Sequence, residues 1–200
     1  MSASEPDAHW NTVYAAKDVD DVSWYEPVPA TSRRLITMAA TSGRVIDVGA
    51  GASGLADALL PAGYDVTVLD VSSNALEQVR QRLGQKATYV VADVLTWTPV
   101  DSYAVWHDRA VFHFLTDPAD QARYVNQATT AVQTGGGLVM GTFAPTGPES
   151  CSGLPTARHD ADSLVRLFAG AFTLEHAETD EHVTPWGVIQ PFTWVVLRRE

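Results

Sequence analysis

The stretch Arg44-Val45-Ile46-Asp47-Val48-Gly49-Ala50-Gly51-Ala52-Ser53-Gly54 decides how this chain folds. Three of its first five residues are β-branched, which is typical of a short buried strand. The glycines follow in the pattern Gly-x-Gly-x-x-Gly, and the composition of residues 55–60 is helical. A strand, a glycine turn and a helix in this order predict the start of a parallel βαβ unit. Glycines at such a turn let a ligand approach the backbone amides at the helix N-terminus.

Strand-like and helical segments alternate along the rest of the chain, which predicts further βαβ units. The predicted helices span residues 31–40, 55–60, 74–83, 118–132 and 160–169, and the predicted strands span 44–48, 65–70, 87–92, 103–106, 138–143, 172–175 and 192–197. The loop between the last two strands is too short for a crossover helix, so the last strand should run antiparallel to the others. We therefore predict one α/β domain, a Rossmann-like three-layer sandwich.

Length and composition exclude several classes of protein. With 200 residues, the chain is long enough for one domain with one core. Cys151 is the only cysteine, which excludes an intramolecular disulfide or a cysteine-rich metal site; we predict no metal and expect a reducing compartment, the cytoplasm. Residues 1–9 lack the features of an export signal and no run of ~18 apolar residues occurs, so we expect no membrane partner. The net charge of -11, without a cluster of Lys or Arg, argues against nucleic-acid partners.

Acidic residues stand at the ends of three predicted strands that should be neighbours. Asp47 lies two residues before the first glycine, where it would repel a diphosphate but tolerate a cationic or zwitterionic ligand. Asp70 ends the second strand, where a carboxylate can accept hydrogen bonds from the ribose hydroxyls of an adenosine. Asp93 follows the third strand, where it can accept a hydrogen bond from an adenine amino group. Together with the glycine turn, these acids predict a nucleoside site at the carboxyl edge of the sheet.

On these residues the chain resembles the class I S-adenosylmethionine-dependent methyltransferases. Residues 45–54 are similar to the first motif of that family, Asp70 to its ribose-binding acid and Ala92-Asp93-Val94 to its adenine motif. The resemblance covers about residues 9–198 and implies S-adenosyl-L-methionine as cofactor and S-adenosyl-L-homocysteine as product. It also implies a seven-stranded, mostly parallel sheet of order 3-2-1-4-5-7-6 with strand 7 antiparallel. The implied cofactor-binding residues are Trp24, Asp47, Gly49, Ala50, Gly51, Asp70, Val71, Asp93, Val94, Asp108, Arg109 and Ala110.

The N-terminal part of the chain is rich in aromatic residues. Residues 1–8 are small, polar and acidic, and we expect them to be disordered. Residues 9–30 are predicted to form a short helix and a loop that cap the domain of residues 9–200. Trp10 and Tyr14 would share one face of that helix, where they either cover the edge of the core or form a lid over a ligand. The cap is similar to that of a subgroup that contains both small-molecule enzymes and protein-lysine methyltransferases.

Methyl transfer from a sulfonium requires no particular catalytic residue, because the cofactor already carries a good leaving group. A base is needed for a hydroxyl acceptor, and the candidates near the fourth strand are His107, Asp108 and His113, with His159 in a later loop. His113 is our first choice for a polar group that faces the substrate, although it could instead fill the interface between a helix and the sheet. His107 could instead be a strand-end surface residue. The predicted substrate contacts are Trp10, Tyr14, Tyr25, His113, Cys151 and Trp186.

The sequence therefore favours a methyltransferase that acts on a small-molecule nucleophile, whose acceptor atom stays open among oxygen, nitrogen and sulfur. A protein-lysine acceptor is the first alternative, since the negative net charge could attract a basic surface. A nicotinamide-dependent oxidoreductase shares the glycine pattern, but Asp47 and the antiparallel end of the sheet count against it. A protein that binds S-adenosylmethionine without catalysis is the remaining alternative.

Overall fold

The computed structural model describes residues 5–16 and 21–200. The helices are α1 (Glu5–Ala16), α2 (Ala30–Ala39), α3 (Leu55–Leu59), α4 (Ser73–Leu83), α5 (Pro118–Ala131) and α6 (Ala161–Phe168). The strands are β1 (Gly43–Val48), β2 (Tyr64–Asp70), β3 (Thr88–Val91), β4 (Tyr103–Arg109), β5 (Val132–Phe143), β6 (Ser150–Cys151), β7 (Leu154–Pro155), β8 (Phe172–Val183) and β9 (Ile189–Arg199). A 3-10 turn at Phe112–Phe114 follows β4.

Seven of these strands form one sheet in the order β3-β2-β1-β4-β5-β9-β8. The pairs from β3 to β5 are parallel, and β9 runs antiparallel to both β5 and β8. Because β8 and β9 are the sixth and seventh strands of this sheet along the chain, the predicted order 3-2-1-4-5-7-6 is confirmed. The two remaining strands, β6 and β7, pair with each other inside the loop that follows β5.

Helices cover both faces of the sheet and make three layers. Successive side chains of a strand point to opposite faces, so each buried strand contributes to two cores. One core packs α2, α3 and α4 against Val45, Val68 and Val105. The other packs α5 and α6 against Ile46 and Trp106. Both cores are built from the apolar runs that predicted buried strands. None of the described helices has the length and apolar character needed to cross a membrane.

The strand ends differ from the sequence prediction. β4 continues to Arg109, so His107 and Asp108 belong to the strand rather than to the loop after it. β8 continues to Val183, and only residues 184–188 form the turn before β9. Both strands run longer than their apolar pattern because neighbouring strands supply hydrogen bonds to polar residues as well, which local propensity does not register.

The N-terminal helix also begins earlier than predicted. α1 starts at Glu5, so the expectation of disorder over residues 1–8 is wrong for residues 5–8. Residues 1–4 and residues 17–20 of the predicted cap lie outside the described residues. A regular helix forms here because Trp10 and Tyr14, at i and i+4, can bury one face against the domain.

Gly141 makes room for an aromatic side chain in the middle of the sheet. It pairs with Trp194 across β5 and β9, and a Cβ atom at position 141 would lie 2.6 Å from the Trp194 ring. The Trp194 ring is buried and stacks on the imidazole of His107, with 6.3 Å between ring centroids. The missing side chain at Gly141 therefore sets the position of Trp194 and, through it, of His107.

We expect Gly141→Ala to lower the free energy of unfolding by about 1–3 kcal/mol, because the added methyl group overpacks a buried aromatic ring. Chemical unfolding followed by tryptophan fluorescence measures the change. Gly54→Ala is the control, since a Cβ atom there meets nothing within 4 Å and the position requires no positive φ; we expect a change below about 1 kcal/mol. Equal losses in the two variants would contradict the assigned role of Gly141.

Candidate functional site

The carboxylate of Asp70 holds the glycine turn at the carboxyl edge of the sheet. One of its oxygens accepts a hydrogen bond from the backbone N–H of Gly51 at 2.8 Å, and the other accepts one from Ser72 at 2.7 Å. Gly49 and Gly51 have φ angles of 64° and 53°, which residues with a side chain rarely adopt. Burial raises the pKa of Asp70 to about 6, although the two N–H donors favour its charged form.

Two side chains lie directly against the glycines of this turn. A Cβ atom at Gly49 would come within 1.9 Å of Val111, and one at Gly51 would come within 2.3 Å of the Tyr14 hydroxyl. Tyr14 is therefore seated on the backbone that a nucleoside would approach. Burial, together with the neighbouring charge of Asp70, raises the pKa of Tyr14 far above its usual value. Its hydroxyl stays protonated at any physiological pH.

Asp47 and His107 lie side by side at the ends of two parallel strands. They are partners in the register of β1 and β4, and they lie two residues after Val45 and Val105, which belong to the core under α2. His107 Nδ1 lies 2.7 Å from an oxygen of Asp47, and His107 Nε2 lies 2.9 Å from the hydroxyl of Ser32 on α2. All three side chains are buried. The strand-end surface alternative for His107 is therefore wrong.

Arg109 and His182 fasten the loop of residues 21–29 to the sheet. Arg109 donates hydrogen bonds to the carboxylate of Glu26 and to the backbone carbonyl of Trp24, each at 2.8 Å. His182 Nε2 donates to the carbonyl of Ser23 at 2.6 Å. Burial by itself would raise the pKa of Glu26, but hydrogen bonding to His182 and the charge of Arg109 outweigh it and lower that pKa. The loop is thus held to the sheet by the ion pair of Glu26 and Arg109, whose opposite charges neutralise each other.

A pocket lies between this loop and the glycine turn. Aromatic and charged side chains share its walls, among them Trp24, Tyr25, Glu26, Asp47, His107 and Arg109. Its volume is about 50 Å³, whereas pockets that hold drug-sized ligands measure roughly 300–1,000 Å³. A nucleoside therefore enters only if the cap of α1 and the following loop shifts away from the glycine turn.

Asp108 points to the opposite face of the sheet from Asp47 and His107. It is fully buried, accepts a hydrogen bond from the backbone N–H of Val111 at 3.0 Å, and accepts another from the hydroxyl of Tyr124. Burial raises the pKa of Asp108 to about 6. Through its bond to Val111, this carboxylate shapes the loop after β4, where Ala110 has a φ angle of 73°. Contact between residues 108–110 and the cofactor stays a prediction.

Asp93 and its neighbours complete the edge of the sheet on the side of β3. Asp93 accepts a hydrogen bond from the N–H of Leu95 at 2.8 Å and is partly buried, while Val94 belongs to the core. Val71 lies between Asp70 and Ser72, the two residues that are joined by a hydrogen bond from the Ser72 N–H to the Asp70 carboxylate. A contact of Asp93 with adenine stays a prediction. The Asp93 oxygen that does not bind Leu95 can accept a hydrogen bond from the adenine amino group.

His113 is buried among aromatic rings rather than in the wall of the pocket. Its imidazole stacks on Phe143 with 4.2 Å between ring centroids and meets the edge of Phe114 at 4.4 Å. Neither ring nitrogen has a hydrogen-bond partner among the described residues. Burial, with a smaller effect of Arg109, lowers the pKa of His113 to about 3. The ring is neutral at physiological pH, and its substrate contact stays a prediction.

The other predicted substrate contacts are spread over the cap and the loops. Tyr25 lines the pocket, and Trp10 packs edge-on against Trp24 with 5.7 Å between ring centroids. The Cys151 sulfur lies 3.9 Å from the Ser23 hydroxyl, so it faces the cap loop. Trp186 is 57% exposed in the turn between β8 and β9, and it does not line the pocket.

Sequence reasoning missed three polar residues of the site: Ser32, Glu26 and His182. Each makes its contact across a long stretch of chain, and none belongs to a recognisable motif. Glu26 follows Trp24 and Tyr25 in the aromatic segment, whose pattern predicted ligand contacts only for the rings. Within residues 5–16 and 21–200, no group of three or more His, Cys, Asp or Glu side chains is arranged to hold a metal ion.

The donor set fits S-adenosylmethionine better than a diphosphate. The turn presents backbone beside Asp70, whose carboxylate has lone pairs left for ribose hydroxyls. Asp47 and Glu26 place two carboxylates in the pocket wall against the single guanidinium of Arg109. Such a surface attracts a sulfonium and repels phosphate.

Comparisons with known proteins agree with this chemistry. A family model described as a methyltransferase domain matches residues 45–136, the part of the chain that holds the glycine turn and Asp47, Asp70 and Asp93. No curated protein matches the sequence.

Several solved structures share the fold. A protein described for the conversion of a disulfide bond into a thioacetal group during echinomycin biosynthesis has a TM-score of 0.77 and 20% identity, with coverage of 97% of this chain and 93% of that one. The N-methyltransferase NodS from Bradyrhizobium japonicum WM9, in complex with S-adenosyl-L-homocysteine, has a TM-score of 0.72 and 15% identity, with coverage of 96% and 98%. The 1,6-didemethyltoxoflavin-N1-methyltransferase from Burkholderia thailandensis has a TM-score of 0.70 and 18% identity, with coverage of 86% and 77%.

At these identities the structural likeness establishes the fold alone, and the family match covers residues 45–136, which run from β1 into β5. The glycine turn and the carboxylates at the strand ends, on which the resemblance rests, occur in the structure together with the strand order that the resemblance implies. Residues 45–136 therefore match the methyltransferase domain family, and the chain as a whole has the fold of solved S-adenosylmethionine-dependent methyltransferases; both findings support an enzyme that uses S-adenosylmethionine as its cofactor.

Proposed function

We propose that this enzyme methylates a small-molecule nucleophile bound between the aromatic cap and the glycine turn. The pocket carries the proposal, because its roof is a loop of the chain itself. Arg109 and His182 fasten that roof through the charge of Glu26 and the backbone of residues 23 and 24. A roofed pocket suits an acceptor that is enclosed whole, whereas a protein substrate needs an open channel for one side chain.

The chain holds the cofactor with residues from three strand ends. Asp70 would accept hydrogen bonds from the ribose hydroxyls, Asp93 would accept one from the adenine amino group, and the backbone of Gly49 and Gly51 would line the site of the methionine part. S-adenosylmethionine supplies an electrophilic methyl group on a sulfonium, which leaves as a neutral thioether. Asp47 and Glu26 favour that positive charge because they outnumber Arg109 in the pocket wall.

The protein contributes orientation and the exclusion of water. Trp24 and Tyr25 offer flat apolar surfaces above the glycine turn, and the closed cap leaves little space for solvent. Holding the acceptor atom about 3–3.5 Å from the methyl carbon converts a bimolecular reaction into an effectively unimolecular one. The geometry thus supports methyl transfer that depends mainly on positioning.

The alternatives are ranked by the same features. A protein-lysine acceptor is the alternative that labelling of a lysine-containing peptide would support. The family match and the strand order set aside a nicotinamide-dependent oxidoreductase. The cytoplasm stays our proposed compartment, on the single cysteine of the sequence.

Labelled S-adenosylmethionine tests the acceptor class directly. We expect the label to appear in at least one small molecule from a panel of phenols, catechols, amines and thiols, and not in a lysine-containing peptide. Trp24→Ala should reduce that turnover at least tenfold, because it removes a wall of the pocket. Tyr89→Ala is the matched aromatic control, since Tyr89 stacks under Arg80 outside the pocket. Label in the peptide alone, or equal effects of the two variants, would contradict the proposal.

The pKa of Asp70 gives a second prediction. Its folded-state pKa of about 6 means that the carboxylate is charged at pH 7.5 and becomes protonated as the pH falls through 6. Protonation removes an acceptor for ribose hydroxyls, so the affinity for S-adenosyl-L-homocysteine should fall by up to about tenfold per pH unit below 6. Isothermal titration calorimetry from pH 7.5 to 5 measures this.

Two variants separate Asp70 from other acids. Asp70→Asn should bind weakly at pH 7.5 and should lose the pH dependence. Asp101→Asn should keep it, because Asp101 is exposed and paired with Arg44 near the start of β1, far from the glycine turn. A pH dependence that survives in Asp70→Asn would assign it to another group, such as Asp108.

A further inference from the structure

Ser32, His107 and Asp47 form a buried hydrogen-bonded triad, and the hydrogen bonds of Ser32 and His107 have no part in the proposed function. The three residues come from α2, β4 and β1, and they all line the pocket. His107 bridges the other two through its two ring nitrogens, at 2.7 Å from Asp47 and 2.9 Å from Ser32. Burying three polar groups among valines costs free energy even when they are hydrogen-bonded. The arrangement therefore calls for a chemical reason.

The hydrogen bonds that link Ser32, His107 and Asp47 have a defined direction. A carboxylate only accepts hydrogen bonds, so the Asp47 contact requires the proton of neutral His107 to sit on Nδ1. Nε2 then carries a lone pair and accepts a hydrogen bond from the Ser32 hydroxyl. A proton can thus move from Ser32 to His107 without any rearrangement of side chains, and Asp47 stabilises the imidazolium that results.

The surroundings of His107 keep this direction fixed. One face of its ring stacks on Trp194, which holds the ring plane. Asp108, the next residue, points to the other face of the sheet and is engaged by Tyr124. Among the described residues, Glu26 and Arg109 also line the pocket beside His107, and they are paired with each other. Asp47 and Ser32 are thus the hydrogen-bonding partners of His107.

We propose that Ser32, His107 and Asp47 form a proton relay for methyl transfer. The methyl acceptor is then a hydroxyl or an amine that still carries its proton when it binds. The inference rests on the proposed function. The acceptor gives its proton to the Ser32 oxygen while Ser32 gives its own to His107 Nε2. The electron pair left on the acceptor forms the bond to the methyl carbon, and the pair of the broken carbon–sulfur bond stays on sulfur. His107 returns the extra proton to solvent through Ser32 after product release.

A nucleophilic role for Ser32 is disfavoured by its position. The same order of serine, histidine and aspartate activates the nucleophile of hydrolases. Here Ser32 is 1% exposed on the first turn of α2. At this depth its hydroxyl can exchange a proton with a neighbouring atom, whereas attack on an acyl carbon needs an open approach and an oxyanion hole.

Nitrogen NMR of His107 tests the direction of the relay without any acceptor. In the protein saturated with S-adenosyl-L-homocysteine at about pH 8, we expect Nδ1 of His107 to carry the ring proton and Nε2 to carry none. Ser32→Ala should shift the Nε2 resonance. Thr31→Ala is the matched control on the same helix, because the Thr31 hydroxyl binds Asp180 instead. A proton on Nε2 would overturn the relay.

Kinetics with the acceptor found in the labelled panel provide the second readout. Ser32→Ala and His107→Asn should each lower kcat about 100-fold for a hydroxyl or amine, while the affinity for S-adenosyl-L-homocysteine changes less than about twofold. Ser32→Thr, which keeps a hydroxyl, should recover most of the rate. Equal losses in Ser32→Ala and Thr31→Ala, or transfer to a thiolate slowed as strongly as transfer to a hydroxyl, would overturn the relay.

The two readouts also separate this inference from the proposed function. If no small molecule is methylated although S-adenosyl-L-homocysteine binds, the proposed function fails and the relay, which rests on it, fails with it, whichever ring nitrogen of His107 carries the proton. If a small molecule is methylated and Ser32→Ala has no effect on kcat, the relay fails and the proposed function stands.

Discussion

The hydrogen bond between the Asp70 carboxylate and the backbone of Gly51 is the interaction on which the rest of the site depends. It joins the end of β2 to the turn after β1, so the glycine turn keeps its shape without side chains of its own. Tyr14 can then pack on Gly51, and the cap that carries Tyr14 closes the pocket above. Burying the Asp70 carboxylate costs free energy when no ligand is bound. Its remaining lone pairs can accept hydrogen bonds from a nucleoside with two adjacent hydroxyls.

The alternation of side chains along the strands divides the polar groups of the site into two sets. Asp47 and His107 face α2 and the cap, where they meet Ser32 and the pocket. Asp108 and Tyr124 meet on the opposite face, where Trp106 donates a further hydrogen bond to Tyr124 and the bond from Val111 shapes the loop after β4. We propose one set for chemistry and the other for support, although His107 and Asp108 are adjacent in sequence.

Much of this architecture is encoded locally. The β-branched runs, the glycine turn and the acids at the strand ends are short-range patterns; they predicted the sheet correctly, and the structure places Asp47 and Asp70 in β1 and β2 beside the glycine turn. The sequence could not show contacts between distant segments, such as Ser32 on His107 or Glu26 on Arg109, because no local pattern couples them. The length of β8 was missed for the same reason, since its polar residues become a strand only by pairing with β9.

A crystal structure with S-adenosyl-L-homocysteine tests the central claim most directly. The account predicts that both ribose hydroxyls lie within about 3 Å of the Asp70 carboxylate, and that the Tyr14 hydroxyl has moved off Gly51 as the cap opens. A nucleoside bound elsewhere, or one bound at the turn with Tyr14 still seated on Gly51 and Asp70 bonded only to backbone, would contradict it.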